Sequence, residues 1–173
     1  MPDRTSRSTK QELIEELIHE FRASGNQDDA FDSLAAGKLA VSETELRCLN
    51  IIENSRGLTA GDLAVQAGIT PGAVTGVIDR LERAGYARRV PDPGDRRRVR
   101  VEVTPAFYNS AEQIWGPMAA DWQSLLSKRF TSRQLEQITE FLRATNELGH
   151  RHLDRLRKTN LGGQRASSVS APD

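Results

Sequence analysis

Across residues 70–104 the spacing of apolar residues changes once, from a helical period to a strand period, and few folds accommodate that change in so short a stretch. Val74, Val77, Ile78 and Leu81 recur at intervals of three and four, which makes one face of a helix. Thr70 can cap that helix with its hydroxyl, and Pro71 suits the first helical position, where no amide donor is needed. Gly85 is a natural stop because glycine tolerates the left-handed conformation of a helix end. Residues 86–90 and 99–103 then alternate with period two, and Pro91, Pro93 and Gly94 make the stretch between them a turn. Opposite its apolar face, the helix opens with Gly72, Ala73, Thr75 and Gly76, all small enough to admit a close neighbour. A small-fronted helix beside an arginine-tipped hairpin suits a groove in DNA.

The preceding residues supply the other half of such a unit. Val41-Ser42-Glu43-Thr44-Glu45-Leu46 combines a capping box, Ser42 with Glu45, with a hydrophobic staple of Val41 on Leu46. The helix it starts carries Leu46, Cys48, Leu49, Ile51 and Ile52 as a wide apolar stripe and ends at Asn54-Ser55-Arg56-Gly57. Thr59 caps a short helix that Gly68 stops, and Thr70 starts the next one at once. Two helices joined by a three-residue turn containing glycine make a helix-turn-helix.

Charge follows the same division. The formal net charge is zero, yet residues 70–104 carry eight basic and five acidic side chains. Residues 88–100 alone hold six arginines against Asp92 and Asp95. Screening confines the field of such a patch to about 8–10 Å, so a neutral chain can still attract phosphate locally. The plain alternative is a solvated hairpin rich in charge.

Elsewhere the chain reads as helix. Thr9 and Glu12 form a capping box, and Leu13, Ile14, Leu17, Ile18 and Phe21 share the face that follows. Ser24-Gly25-Asn26 reads as a break, and residues 24–40 stay ambiguous between a short helix and a connector. Thr104-Pro105 and Thr131 with Gln134 start two further helices, and Gly116-Pro117 should bend or loosen the first of them. The last helix repeats apolar residues from Leu135 to Leu156 over more length than a small core can cover, so a second subunit is expected. The rival is an intramolecular bundle. With hydrophobic residues at 37% and aromatics at only 5%, the core must come mainly from Leu, Ile, Val and Ala. The expected fold is mainly α: a winged helix-turn-helix with a two-stranded β wing, flanked by N- and C-terminal dimerisation helices. Its divisions are 9–40 (first dimerisation helix and connector), 41–104 (DNA-binding domain), 105–158 (C-terminal dimerisation helices) and 159–173 (disordered tail).

Leu58 to Ala64, the run Thr-Pro-Gly-Ala-Val-Thr-Gly-Val-Ile-Asp-Arg-Leu-Glu-Arg-Ala-Gly-Tyr from Thr70, and Asp92-Pro-Gly-Asp-Arg-Arg-Arg together resemble MarR-type winged helix-turn-helix regulators. The resemblance implies a homodimer that binds pseudo-palindromic promoter DNA, usually represses, and is released by a small aromatic ligand. It makes the helix from Thr70 the recognition helix. Thr70, Pro71, Gly72, Ala73, Thr75 and Gly76 would then face base edges and phosphate, with threonine hydroxyls donating and Ala73 touching a thymine methyl. Arg80 either supports the fold or holds a phosphate. Asp95 would orient the wing, Arg97 would enter the minor groove, and Arg96 and Arg98 would flank it on phosphate. The family's ligand cleft between dimer helices and DNA-binding lobe makes His19, Arg22, Cys48 and Trp115 candidates to line it. Trp115 and Trp122 read as core or dimer packing ahead of ligand stacking. A winged helix used only to bind proteins is the rival function.

Other classes find little support. Cys48, the single cysteine, lies in an apolar helix where it reads as a small hydrophobe, which sets redox sensing aside. His150 and His152 are two apart and so on different helix faces, and His19 is the only other histidine; no metal and no cofactor are expected. With no glycine-rich phosphate loop and no Ser/His/Asp grouping, the chain does not read as an enzyme. It has no apolar run near the roughly 18 residues a membrane span needs and no signal-peptide pattern, so a cytoplasmic protein is expected.

Overall fold

The computed structural model describes residues 8–95 and 97–159. Their order is α1 (Lys10–Leu39), α2 (Glu43–Asn54), β1 (Leu58–Thr59), α3 (Ala60–Ala67), α4 (Pro71–Arg83), β2 (Ala87–Pro91), β3 (Val99–Val103), α5 (Pro105–Arg129) and α6 (Ser132–Lys158). The loose start and the tail expected at the two ends fall, apart from Ser8 and Thr159, outside the described residues.

Every helix start read from the sequence is built as expected. The hydroxyls of Thr9, Ser42, Thr59, Thr70 and Thr131 each accept an amide from three residues on. Glu12, Glu45 and Gln134 return the bond to the cap residue's own amide, completing three capping boxes. The Thr104 hydroxyl accepts from the Phe107 amide at 3.3 Å and donates to the Gly85 carbonyl at 2.6 Å, tying the start of α5 to the end of α4.

Two features differ from the sequence expectation. α1 runs unbroken through Gly25 to Leu39. An interior glycine costs a helix only about 1 kcal/mol, and the second half of α1 seats Ala35, Ala36 and Leu39 in the core, which holds the helix together. α5 runs from Pro105 to Arg129 with Pro117 inside it, where proline supplies no amide to the preceding turn. Finally, the wing hairpin gains a third strand: the sheet order is β1-β3-β2, antiparallel throughout, with Leu58 opposite Val101 and Thr59 opposite Arg100.

The chain divides into two compact units between Pro117 and Met118. In the first, Leu46, Leu49, Ile52, Leu63, Val74, Ile78, Leu81, Val101 and Phe107 form one buried cluster. Burying a leucine- or isoleucine-sized side chain contributes about 1.5–3 kcal/mol, so this cluster fixes α2, α3, α4 and the sheet against one another. In the second, α6 has no fully buried residue, and Leu142, Leu148, Leu153 and Leu156 are all exposed.

Candidate nucleic-acid interface

The apolar face of α4 determines what its other face can do. Val74, Val77, Ile78 and Leu81 are buried, which turns Thr70, Pro71, Gly72, Ala73 and Thr75 to solvent at the helix start. The Thr70 hydroxyl accepts the Ala73 amide at 3.2 Å and keeps its own proton free to donate. Thr75 donates to the Pro71 carbonyl at 3.3 Å and keeps its lone pairs free. Gly76 is half-buried beneath Arg80: a Cβ there would lie 3.4 Å from the Arg80 Nη1.

Arg80 is fastened from behind. Its Nε donates to Oε1 of Glu45, a carboxylate only 9% exposed, while the arginine side chain is 51% exposed. Glu45 also accepts the Ser42 amide at 2.7 Å, so one side chain closes the cap of α2 and holds α4. Burial pushes the Glu45 carboxyl up, but the Ser42 amide and the Arg80 guanidinium outweigh it and hold the group below its ordinary value.

β2 is locked to α4 by Arg89, whose Nη2 donates to Asp79 at 2.7 Å and whose Nη1 donates to Glu82. The Arg89 amide also donates to Glu82 at 2.8 Å. The Asp79 bond, with Glu82 beside it, raises the arginine above its ordinary value. Arg88 faces Glu102 at 3.4 Å, and Arg100 donates to the carbonyls of Arg56 and Gly57. Half of the six arginines counted in this stretch are therefore structural. Sequence counting could not separate them, because their partners lie 7 to 44 residues away.

At the wing tip, Asp95 Oδ1 accepts the Arg97 amide at 3.0 Å, and the Arg98 amide donates to the Asp95 carbonyl at 2.8 Å. Arg97 and Arg98 are exposed, and their guanidinium groups make no hydrogen bond or ion pair among the described residues. Arg96 lies outside the described residues.

The four ligand candidates lie on three helices. His19 and Arg22 are exposed on α1, and Cys48 is fully buried, with burial pushing its thiol up. Trp115 is half-buried against Phe31, ring centroids 6.2 Å apart. A cleft of about 520 Å³ is lined by Phe31, Leu34, Lys38, Tyr86, Gln113 and Ile114 among others. Its residues come from α1, the start of the wing and α5, a grouping with no signature in local sequence. Among the described residues no group of three or more His, Cys, Asp or Glu is placed to hold a metal ion, and no helix is long and apolar enough to cross a membrane.

Residues 41–99, from the cap of α2 to the start of β3, match the MarR family model. Along 154 residues the chain is 30% identical to an uncharacterised HTH-type transcriptional regulator of Bacillus subtilis, YcgE, covering 89% of this chain and 99% of that one. The chain belongs to the MarR family. As a MarR-family transcriptional regulator it is also 26% identical to the homoprotocatechuate degradative operon repressor of Escherichia coli, over 64% of this chain and 74% of that one. The fold is shared with NadR, solved in complex with 4-hydroxyphenylacetate, at a TM-score of 0.51 and 21% identity, covering 84% of this chain and 97% of that one. Membership in a family of transcriptional regulators points away from an enzyme.

Proposed function

We propose that this regulator binds pseudo-palindromic promoter DNA as a homodimer, represses from it, and is released by a small aromatic ligand. One combination carries the DNA reading: the start of α4 is bare, and the wing that Arg89 ties to the same helix carries Arg97 and Arg98 exposed, with no guanidinium hydrogen bond among the described residues. In this reading Thr70 donates to a phosphate or base acceptor, Thr75 offers its free lone pairs to a base amino group, and Ala73 meets a thymine methyl. Pro71, Gly72 and Gly76 let the backbone come close. Arg97 enters the minor groove, Arg96 and Arg98 hold phosphate on either side, and the outer nitrogens of Arg80 reach a further phosphate. The short side chains of α4 leave little for base readout, so DNA shape contributes much of the specificity.

The homodimer is supported by apolar residues left in solvent: Leu13, Ile14, Leu17 and Ile18 on α1 and Leu148, Leu153 and Leu156 on α6 are 41–62% exposed. The charges beside the two stripes are complementary. Glu12, Glu15, Glu16 and Glu20 flank the first, and Arg151, Arg155, Arg157 and Lys158 flank the second. Repression is inferred from the Escherichia coli relative, which is a repressor. The cleft beside Tyr86 suits a small aromatic ligand: Phe31, Leu34 and Ile114 supply apolar walls, and Lys38 and Tyr86 supply polar contacts. Such a ligand acts by preferring a lobe spacing other than the roughly 34 Å that successive half-sites demand.

Ala73→Glu tests the DNA reading. It sets a carboxylate on the bare face without touching the core, so gel-shift binding to the protein's own promoter should vanish while circular dichroism is unchanged. Undiminished binding by Ala73→Glu would remove α4 from the interface.

A further inference from the structure

The wing carries one more carboxylate, and its geometry points to Asp92 as the residue that positions Arg97 for DNA; this rests on the function proposed above. Asp95, the acid of the wing motif, holds the amide only two residues ahead of it. Asp92 holds considerably more. Its Oδ1 accepts the amides of Gly94 at 2.7 Å and Asp95 at 3.1 Å, which closes the first half of the turn. Its own amide donates to the Arg98 carbonyl at 2.9 Å across the neck of the hairpin. Its Oδ2 faces the Arg100 Nε at 3.7 Å.

Arg100 carries the connection inward. Through Nη2 it donates to the Arg56 carbonyl at 3.0 Å and to the Gly57 carbonyl, in the turn that leads into β1. The contacts therefore run from the wing turn to Asp92, then to Arg100, then to the backbone between α2 and β1. Arg97 stands within the turn so held, with its guanidinium in solvent. A long, flexible side chain on a fixed backbone loses less entropy on entering a groove than one on a mobile loop. Only an acid of this length puts one oxygen on the turn amides and the other toward Arg100. Asparagine keeps the first contact and loses the second, and alanine loses both.

Asp92→Ala, Asp92→Asn, Arg97→Ala and the Asp92→Ala/Arg97→Ala pair should be compared by fluorescence anisotropy on promoter DNA, with circular dichroism as the check on folding. Asp92→Ala should weaken binding about tenfold, the effect of losing roughly one charged hydrogen bond's worth of ordering, and Asp92→Asn by less. In the Arg97→Ala background, Asp92→Ala should cost clearly less than in the wild type, because the side chain that enters the groove is gone. Additive losses in the double variant, or wild-type affinity in Asp92→Ala, would overturn the assignment while leaving the DNA reading intact. Absence of binding by the wild type itself would remove both.

Discussion

Glu45 joins two helices through one carboxylate, and its ionisation should be visible in stability. Its folded value is held below the ordinary 4.5 by the Ser42 amide and Arg80 despite burial. A depressed carboxyl contributes stability that is present above its unfolded pKa and is lost as pH falls through its folded pKa. Glu45→Gln should therefore cost about 1–2 kcal/mol at neutral pH, discounted because Arg80 is half exposed. The difference from wild type should shrink as pH drops below about 4.5. Urea denaturation at several pH values measures both, and a pH-independent difference would show that the charge contributes nothing. The same scale shows where sequence reading fell short. Arg80, Arg88, Arg89 and Arg100 carry the same charge as Arg97 in a sequence, but each has a carboxylate or carbonyl partner in the fold. Only the folded positions of those partners separate bracing arginines from free ones.

At the scale of elements, two glycines with opposite surroundings give opposite predictions. Gly25 lies within α1 with nothing inside 4 Å of an added Cβ, so Gly25→Ala should stabilise the protein by about 0.5–1 kcal/mol. Gly57 has φ +89°, and a Cβ there would lie 3.0 Å from the Glu102 Cγ and 3.3 Å from both the Arg100 Nη2 and the Val101 carbonyl oxygen. Gly57→Ala should therefore destabilise by about 1–3 kcal/mol. Thermal denaturation of the two variants measures both, and shifts of the same sign would refute the contrast. The helix starts were legible in the sequence because a cap is a three-residue affair: Thr9, Ser42, Thr59, Thr70 and Thr131 each bond within that distance. Strand β1 was not, because Leu58 and Thr59 become a strand only by meeting Val101 and Arg100, more than forty residues on. The continuity of α1 was hidden for the same reason, since core packing of Ala35, Ala36 and Leu39 outweighs the local cost of Gly25. The front of α4 was readable because its buried residues follow one period, whereas the cleft beside Tyr86 draws on three separated segments.

For the whole molecule, the proposed function requires two copies presenting two recognition helices. Replacing Ile14 and Leu17, 41% and 49% exposed on α1, by lysine should leave the helical content unchanged and convert a dimer into a monomer in sedimentation velocity. A variant that sediments as wild type would mean that this stripe is not the subunit contact. DNA affinity should fall with dimerisation, since a single half-site forgoes half of the phosphate contacts. The most direct test of the central claim is fluorescence anisotropy on the protein's own promoter DNA across a salt series, with wild type and Arg97→Ala side by side. Each phosphate neutralised should add about 0.9 to the slope of log affinity against log salt, so the account predicts tight binding, a steep slope and a shallower one in Arg97→Ala. Weak binding with a flat salt dependence, identical in the two proteins, would contradict it.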